Sequence, residues 1–243
     1  MLGSGAPPVR WARLRLLVAA VGLLAAGEGC ARRRVGPNDA YRDPRVSAEQ
    51  WNRLFEGDER EAYRRRTHIV RLLDLRPGMD VVDVGAGTGV FTVLLGDAVG
   101  PTGRVYAEEV TDKFVRFIAD RAARERRANV VSVAGTETGV GLPPGSVDVA
   151  FLCDVYHHFA QPASMLASIA VALRPGGGLF LVDFRRDAGR SPPWILEHVR
   201  ATEAQVVREF EQAGFVSVMR DDSLSDNYVR RFRLAPEAAG QRR

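Results

Sequence analysis

The sequence predicts an α/β domain built on a seven-stranded, mostly parallel sheet. Three observations carry that reading. Short apolar, β-branched runs alternate with longer stretches of helical period, the pattern of repeated βαβ units. A glycine-rich turn, Gly85-Ala86-Gly87-Thr88-Gly89, stands between the first such run and a helix. The last two runs have no helix between them, so they should pair as an antiparallel hairpin at the C-terminal end.

In chain order, Ser47-Ala48-Glu49-Gln50 is a capping-box pattern and should open a helix. Residues 59–75 continue helical until Arg76-Pro77-Gly78 stops them, and 79–84 is a buried strand ending at the glycine turn. A helix is expected over 90–99, a strand over 104–108, and a helix over 112–127 with Phe114, Ile118 and Ala122 on one face. Strands follow at 129–134 and 146–153. Pro162 suits the first turn of a helix reaching Leu173, where Pro175-Gly176-Gly177 should break it. A strand is expected over 178–183. Thr202-Glu203-Ala204-Gln205 is a second capping box, opening a helix to Ala213. Strands at 215–220 and 227–234 complete the sheet.

Ahead of this body, residues 1–30 read as a signal-like or membrane-anchoring segment. Arg10, Arg13 and Arg15 precede an eleven-residue apolar run, Leu16 to Ala26, too short to span a bilayer. Cys30 follows in Gly27-Glu28-Gly29-Cys30, a setting similar to a bacterial lipoprotein cleavage site, where the cysteine is lipidated. A start assigned too early, with a body beginning near Val35, is the alternative. Residues 31–45 read as a linker, 46–234 as the domain with a helical N-terminal cover, and 235–243 as a polar tail. The first 35 residues hold six Arg against Glu28 alone, so of the net +4 the rest of the chain carries −1. The body therefore offers no net basic charge for nucleic acid, and nothing in it specifies an oligomeric state. Two cysteines, Cys30 and Cys153, exclude a disulfide framework.

The chemistry should gather where the strands end. Glycines in the turn permit positive φ and close approach of a ligand to backbone. A dinucleotide-type turn would carry a third glycine at position 90, which is Val90, and Asp83 precedes the turn, where a carboxylate suits a cationic amine better than a phosphate. With Val81-Val82-Asp83-Val84-Gly85-Ala86-Gly87-Thr88-Gly89 and Leu173-Arg174-Pro175-Gly176-Gly177-Gly178, the sequence resembles class I S-adenosylmethionine (SAM)-dependent methyltransferases over roughly residues 65–220. The resemblance implies a Rossmann-like doubly wound sheet and SAM as cofactor. It also implies that the turn, Asp83 and Gly85 to Gly89, packs on the methionine part of SAM, and that the acid ending the second strand binds the ribose hydroxyls. Glu109 holds that place by spacing, with Glu108 beside it. Near the adenine the family often has Asp after the third strand; here Thr136 stands there, with Glu137 next.

The fourth strand ends in Cys153-Asp154-Val155-Tyr156-His157-His158, where methyltransferases place residues facing substrate. Asp154, His157 and His158 are the catalytic candidates, the imidazoles as general bases, and Asp154 is also a cofactor candidate. Adjacent histidines need not point the same way, so no metal clamp is expected. His198 lies in an insertion that shapes the acceptor pocket in this family. The expected activity is methyl transfer to a small-molecule acceptor. The rivals are an NAD(P)-dependent oxidoreductase and a non-catalytic exported lipoprotein that keeps the fold. The intact glycine turn favours a body in the cytosol or on the cytosolic membrane face, with membrane association through the N-terminal segment; lipid-anchored export is the other route.

Overall fold

The computed structural model describes Gly36 and residues 38–235. The segment 1–30 with Cys30, the first part of the linker, and the tail beyond residue 235 lie outside the described residues. Among the described residues no helix is long and apolar enough to cross a membrane.

The N-terminal cover consists of α1 (Asp39–Arg42), α2 (Ala48–Phe55), α3 (Glu61–Arg64) and α4 (Arg66–Leu72). The body follows as β1 (Asp80–Val84), α5 (Thr92–Val99), β2 (Arg104–Glu109), α6 (Asp112–Arg124), β3 (Val130–Ala134) and β4 (Val147–Cys153). A 3-10 turn (Tyr156–His158), α7 (Pro162–Ala172), β5 (Leu173–Phe184), α8 (Pro193–His198), α9 (Glu203–Gln212), β6 (Phe215–Asp221) and β7 (Asn227–Leu234) complete it. The seven strands form one sheet in the order β3-β2-β1-β4-β5-β7-β6. Pairing is parallel from β3 through β5, and β7 is antiparallel to both β5 and β6. This is the Rossmann-like doubly wound sheet with the reversed C-terminal hairpin.

Successive residues of β1 feed opposite cores, as the strand's period of two requires. Val82 and Val84 pack with Leu152, Ile169 and Phe210 on one face. Val81 packs with Ile69, Leu95 and Phe151 on the other. Strand order reverses between β1 and β4, and a crevice opens at the carboxyl ends of these strands, where ligands of such sheets bind. The cover helix α2 closes over it through a third cluster of Ala48, Trp51 and Phe114.

Both capping boxes form: Ser47 and Gln50, and Thr202 and Gln205, exchange backbone and side-chain hydrogen bonds. Three expectations need correction. The helix expected over 59–75 is two helices broken at Arg65. The turn expected at Pro175-Gly176-Gly177 lies inside β5, because the chain turns extended at Leu173 and pairs there with Val147. A register shift between Val147 and Val149 absorbs the three residues, with Gly176 at φ +82°. The linker expected over 31–45 carries a helix, α1 at Asp39–Arg42, because Arg42 and Asn38 hold it to Glu137.

Candidate active site

One cavity of about 560 Å³ lies over the carboxyl ends of β1, β2 and β4. Its floor is the glycine turn. Gly85 and Gly87 both take positive φ, +62° and +59°. A Cβ on Gly85 would stand 2.3 Å from Val155 Cγ2, and one on Gly87 would stand 3.1 Å from the Phe55 ring. The turn is held from below by acids. Gly85 N–H donates to Glu108 Oε2 at 3.0 Å, and Gly87 N–H donates to Glu109 Oε2 at 3.0 Å. Glu109 Oε1 also accepts from Thr111 N–H at 2.9 Å. Asp83, buried at the end of β1, accepts from the Thr92 hydroxyl at 2.6 Å, which ties the strand to α5 across the turn.

Burial raises every one of these carboxyls: Asp83 to about 7, Glu108 to about 8, and Glu109 upward against the pull of its backbone donors. Gly85, Ala86, Gly87, Glu109, Thr136 and Glu137 line the cavity as expected from the sequence, and so does Glu108. Thr88 and Gly89 do not line it. Thr88 is fully buried behind the turn, and Gly89 N–H closes the turn onto Ala86 O at 2.9 Å. They shape the cradle rather than touch what it holds.

The outer candidates are engaged with the N-terminal cover. Glu137 accepts from Asn38 Nδ2 at 3.1 Å and pairs with Arg42, so it latches α1 over the cavity. Asp154 sits at φ +52° with both oxygens occupied: Arg60 Nη2 at 2.8 Å and Asn227 Nδ2 at 2.6 Å. Burial raises the Asp154 carboxyl while the Arg60 guanidinium pulls it down. Asp154, a catalytic and cofactor candidate from the sequence, lines the cavity and ties the cover to the sheet.

The two adjacent histidines point into the same space, contrary to the expectation from their adjacency. The 3-10 turn at Tyr156–His158 brings their rings to 4.2 Å between centroids, and His198 from α8 closes to 5.0 Å and 4.9 Å from them. His157 Nδ1–H donates to Asp183 Oδ1 at 2.6 Å, and His157 N–H donates to Asp183 Oδ2 at 3.2 Å. The carboxyl of Asp183, buried and pushed up to about 7, also accepts from Phe184 N–H. Desolvation, with His198 nearby, lowers His157 to about 3, and burial lowers His198 as well. The rings of His157 and His198 are thus held in the neutral form by burial. His158 Nε2 lies 3.2 Å from the Tyr41 hydroxyl.

Sequence reasoning missed Tyr41, Trp51, Phe55 and Arg60, which line the cavity from the cover, and Asp183, which orients His157. Asp183 was legible as the end of the fifth strand, adjacent in the sheet to β4, which the turn bearing His157 and His158 follows. The cover residues carry no local motif.

The cavity suits SAM. Its size falls within the range of small-molecule sites. Its wall presents six carboxyl groups, Asp83, Glu108, Glu109, Glu137, Asp154 and Glu197, against the single guanidinium of Arg60, and a cationic ligand such as a sulfonium would favour the ionised form of those that burial raises. The glycine floor lets such a ligand lie against backbone.

Residues 82–179 match the family described as "Methyltransferase domain". Among curated proteins, the chain is similar to nocamycin O-methyltransferase of Saccharothrix syringae, 37% identical over 46% of this chain and 40% of that one. It is also similar to the ubiquinone/menaquinone biosynthesis C-methyltransferase UbiE of Ectopseudomonas mendocina, 28% identical over 56% of this chain and 52% of that one. The chain thus spans about half or less of these relatives' lengths. Its fold matches a SAM-dependent methyltransferase from Aquifex aeolicus with a TM-score of 0.66 at 22% identity, over 76% of this chain and 97% of that one. The domain match begins in β1 and takes in the glycine turn and Glu109, the same residues that floor the cavity, and on this ground residues 82–179 carry a methyltransferase domain of the SAM-dependent kind.

Proposed function

We propose that the protein transfers the methyl group of SAM to a small-molecule acceptor. The observation that carries this is the continuity of the cavity. One space is bounded by the glycine turn and Glu109 at one end and by the imidazoles of His157, His158 and His198 at the other. SAM supplies an activated methyl group, so the chain's own task is to position and desolvate. Glu109 would accept from the ribose hydroxyls while its other lone pairs hold Gly87 and Thr111. The backbone of Gly85 to Gly87 would support the methionine portion, and Thr136 would lie towards the base. Phe159, Met165, Phe184 and Trp194 wall the acceptor end, so an uncharged, apolar or aromatic body fits there best. The imidazole wall is where a protonated acceptor, a hydroxyl or an amine, is activated.

The intact SAM cradle favours a body that works where SAM is made, in the cytosol or on the cytosolic face of the membrane. Protease treatment of intact spheroplasts tests that placement: a body digested from outside overturns it. Calorimetry with SAM, S-adenosylhomocysteine and NADH tests the function itself. Binding of the first two and not the third is expected. Binding of NADH alone would replace the methyltransferase reading with that of an oxidoreductase.

A further inference from the structure

We propose that His157, His158 and His198 bind one divalent transition-metal ion at the acceptor end of the cavity. Each histidine offers a ring nitrogen, and the three nitrogens lie within 4.8 Å of one another. They come from two separate segments, the 3-10 turn after β4 and the end of α8, which no local chain geometry obliges to meet. A tetrahedral ion with metal–nitrogen bonds of about 2.0–2.1 Å holds its ligand atoms about 3.3 Å apart, so closure needs side-chain shifts of about 1 Å.

Two features of the cluster point to a metal. First, the three rings converge on one part of the cavity wall, with centroids 4.2, 4.9 and 5.0 Å apart. Second, His157 gives its Nδ1–H to the buried Asp183 carboxyl. A carboxylate behind a ligating histidine fixes the tautomer, turns Nε2 towards the ion and raises its basicity. His158 is steadied in a similar way by the Tyr41 hydroxyl.

The chemistry of the donor set narrows the ion. Three imidazole nitrogens suit zinc, cobalt, nickel, copper or ferrous iron rather than magnesium or calcium. Three protein ligands leave a position open towards the cavity, the arrangement of a reactive rather than a structural site. An acceptor hydroxyl taking that position would lose its proton to solvent at lower pH, the effect that a bound metal has on water. Only this last step rests on the methyltransferase reading; metal binding stands without it.

The test uses the full, untagged chain, freed of metal with a chelator and titrated with Co²⁺. One equivalent should bind, with the intense visible absorption of a four-coordinate cobalt site. His157→Ala and His198→Gln should each weaken Co²⁺ binding at least tenfold, with circular dichroism confirming that each variant is folded. Asp183→Asn should weaken it 10- to 100-fold while leaving all three ligands in place. His68→Ala should change nothing, because His68 meets Ser223 far along the chain from the cluster. Absence of the visible band, or equal Co²⁺ affinity in the wild type and both ligand variants, overturns the proposal. Calorimetry with SAM on the metal-free chain separates this outcome from the cofactor assignment. SAM binding without cobalt binding removes the metal alone, and cobalt binding without SAM binding removes the methyltransferase reading alone.

Discussion

Glu108 and Glu109 are neighbours in β2, and only one of them should govern cofactor affinity. Adjacent strand residues face opposite sides of a sheet, and the two carboxyls take different backbone donors: Gly85 N–H for Glu108, Gly87 and Thr111 N–H for Glu109. Glu109 is the last residue of β2, paired with Ala134, and follows the family's spacing for the ribose acid. Glu108 is packed over Gly135, where a Cβ would fall 1.6 Å from its Oε1, so its side chain is committed to the sheet. Replacing Glu109 with Ala removes a charged acceptor from the ribose diol, worth about 1.5–3 kcal/mol. That converts to a SAM dissociation constant raised roughly 10- to 150-fold. Glu108→Ala should lower the melting temperature while changing SAM affinity by less than about threefold, well below the loss expected at Glu109. Calorimetry on both variants, with melting curves as the folding control, decides the matter. Full affinity in Glu109→Ala together with a large loss in Glu108→Ala would refute the assignment and shift the site by one residue.

Gly87→Val should abolish SAM binding while the protein stays folded, because the new side chain meets the Phe55 ring and a positive φ together; calorimetry showing unchanged affinity would remove the glycine turn from the site. Burial raises Glu108 to about 8 from an ordinary value near 4.5, so the stability it contributes is present below about pH 4.5 and is lost as pH rises through about 8. Glu108→Gln should therefore melt with a smaller fall between about pH 5 and pH 9 than the wild type, and parallel melting curves would contradict this. Glu61→Ala strips one carboxylate from the N–H groups of Ser225, Asp226 and Asn227, and should cost about 2–3 kcal/mol in denaturant unfolding. His157→Ala should lower kcat with the SAM dissociation constant unchanged; a matching loss in SAM affinity would place His157 with the cofactor instead.

The elements legible in the sequence are those whose signals are local. Both capping boxes, the strand before the glycine turn and the antiparallel ending follow from a few adjacent residues each. The breaks that went unseen have tertiary causes. Leu173 is extended because Val147 offers it a parallel partner, which overrides the helical pattern running into Pro175. The end of β2 moves out to Glu109 because Ala134 pairs with it.

The same division runs through the site, and it explains why the cofactor end was readable and the acceptor end was not. Gly85, Gly87 and Glu109 act through backbone conformation and strand position, which sequence spacing encodes. Asp154 looked catalytic by position, yet its chemistry is decided by Arg60, 94 residues earlier, and by Asn227, 73 residues later. His157 and His158 looked divergent by adjacency, yet a single 3-10 turn brings their rings to 4.2 Å between centroids, and the partner that completes the group arrives from α8. A residue's reactivity at the carboxyl end of such a sheet is set by which elements converge above it. The cover helices and the β5–α9 insertion converge here, so the acids nearest the cofactor become ties and cradles, and the imidazoles are left among the polar groups facing the acceptor.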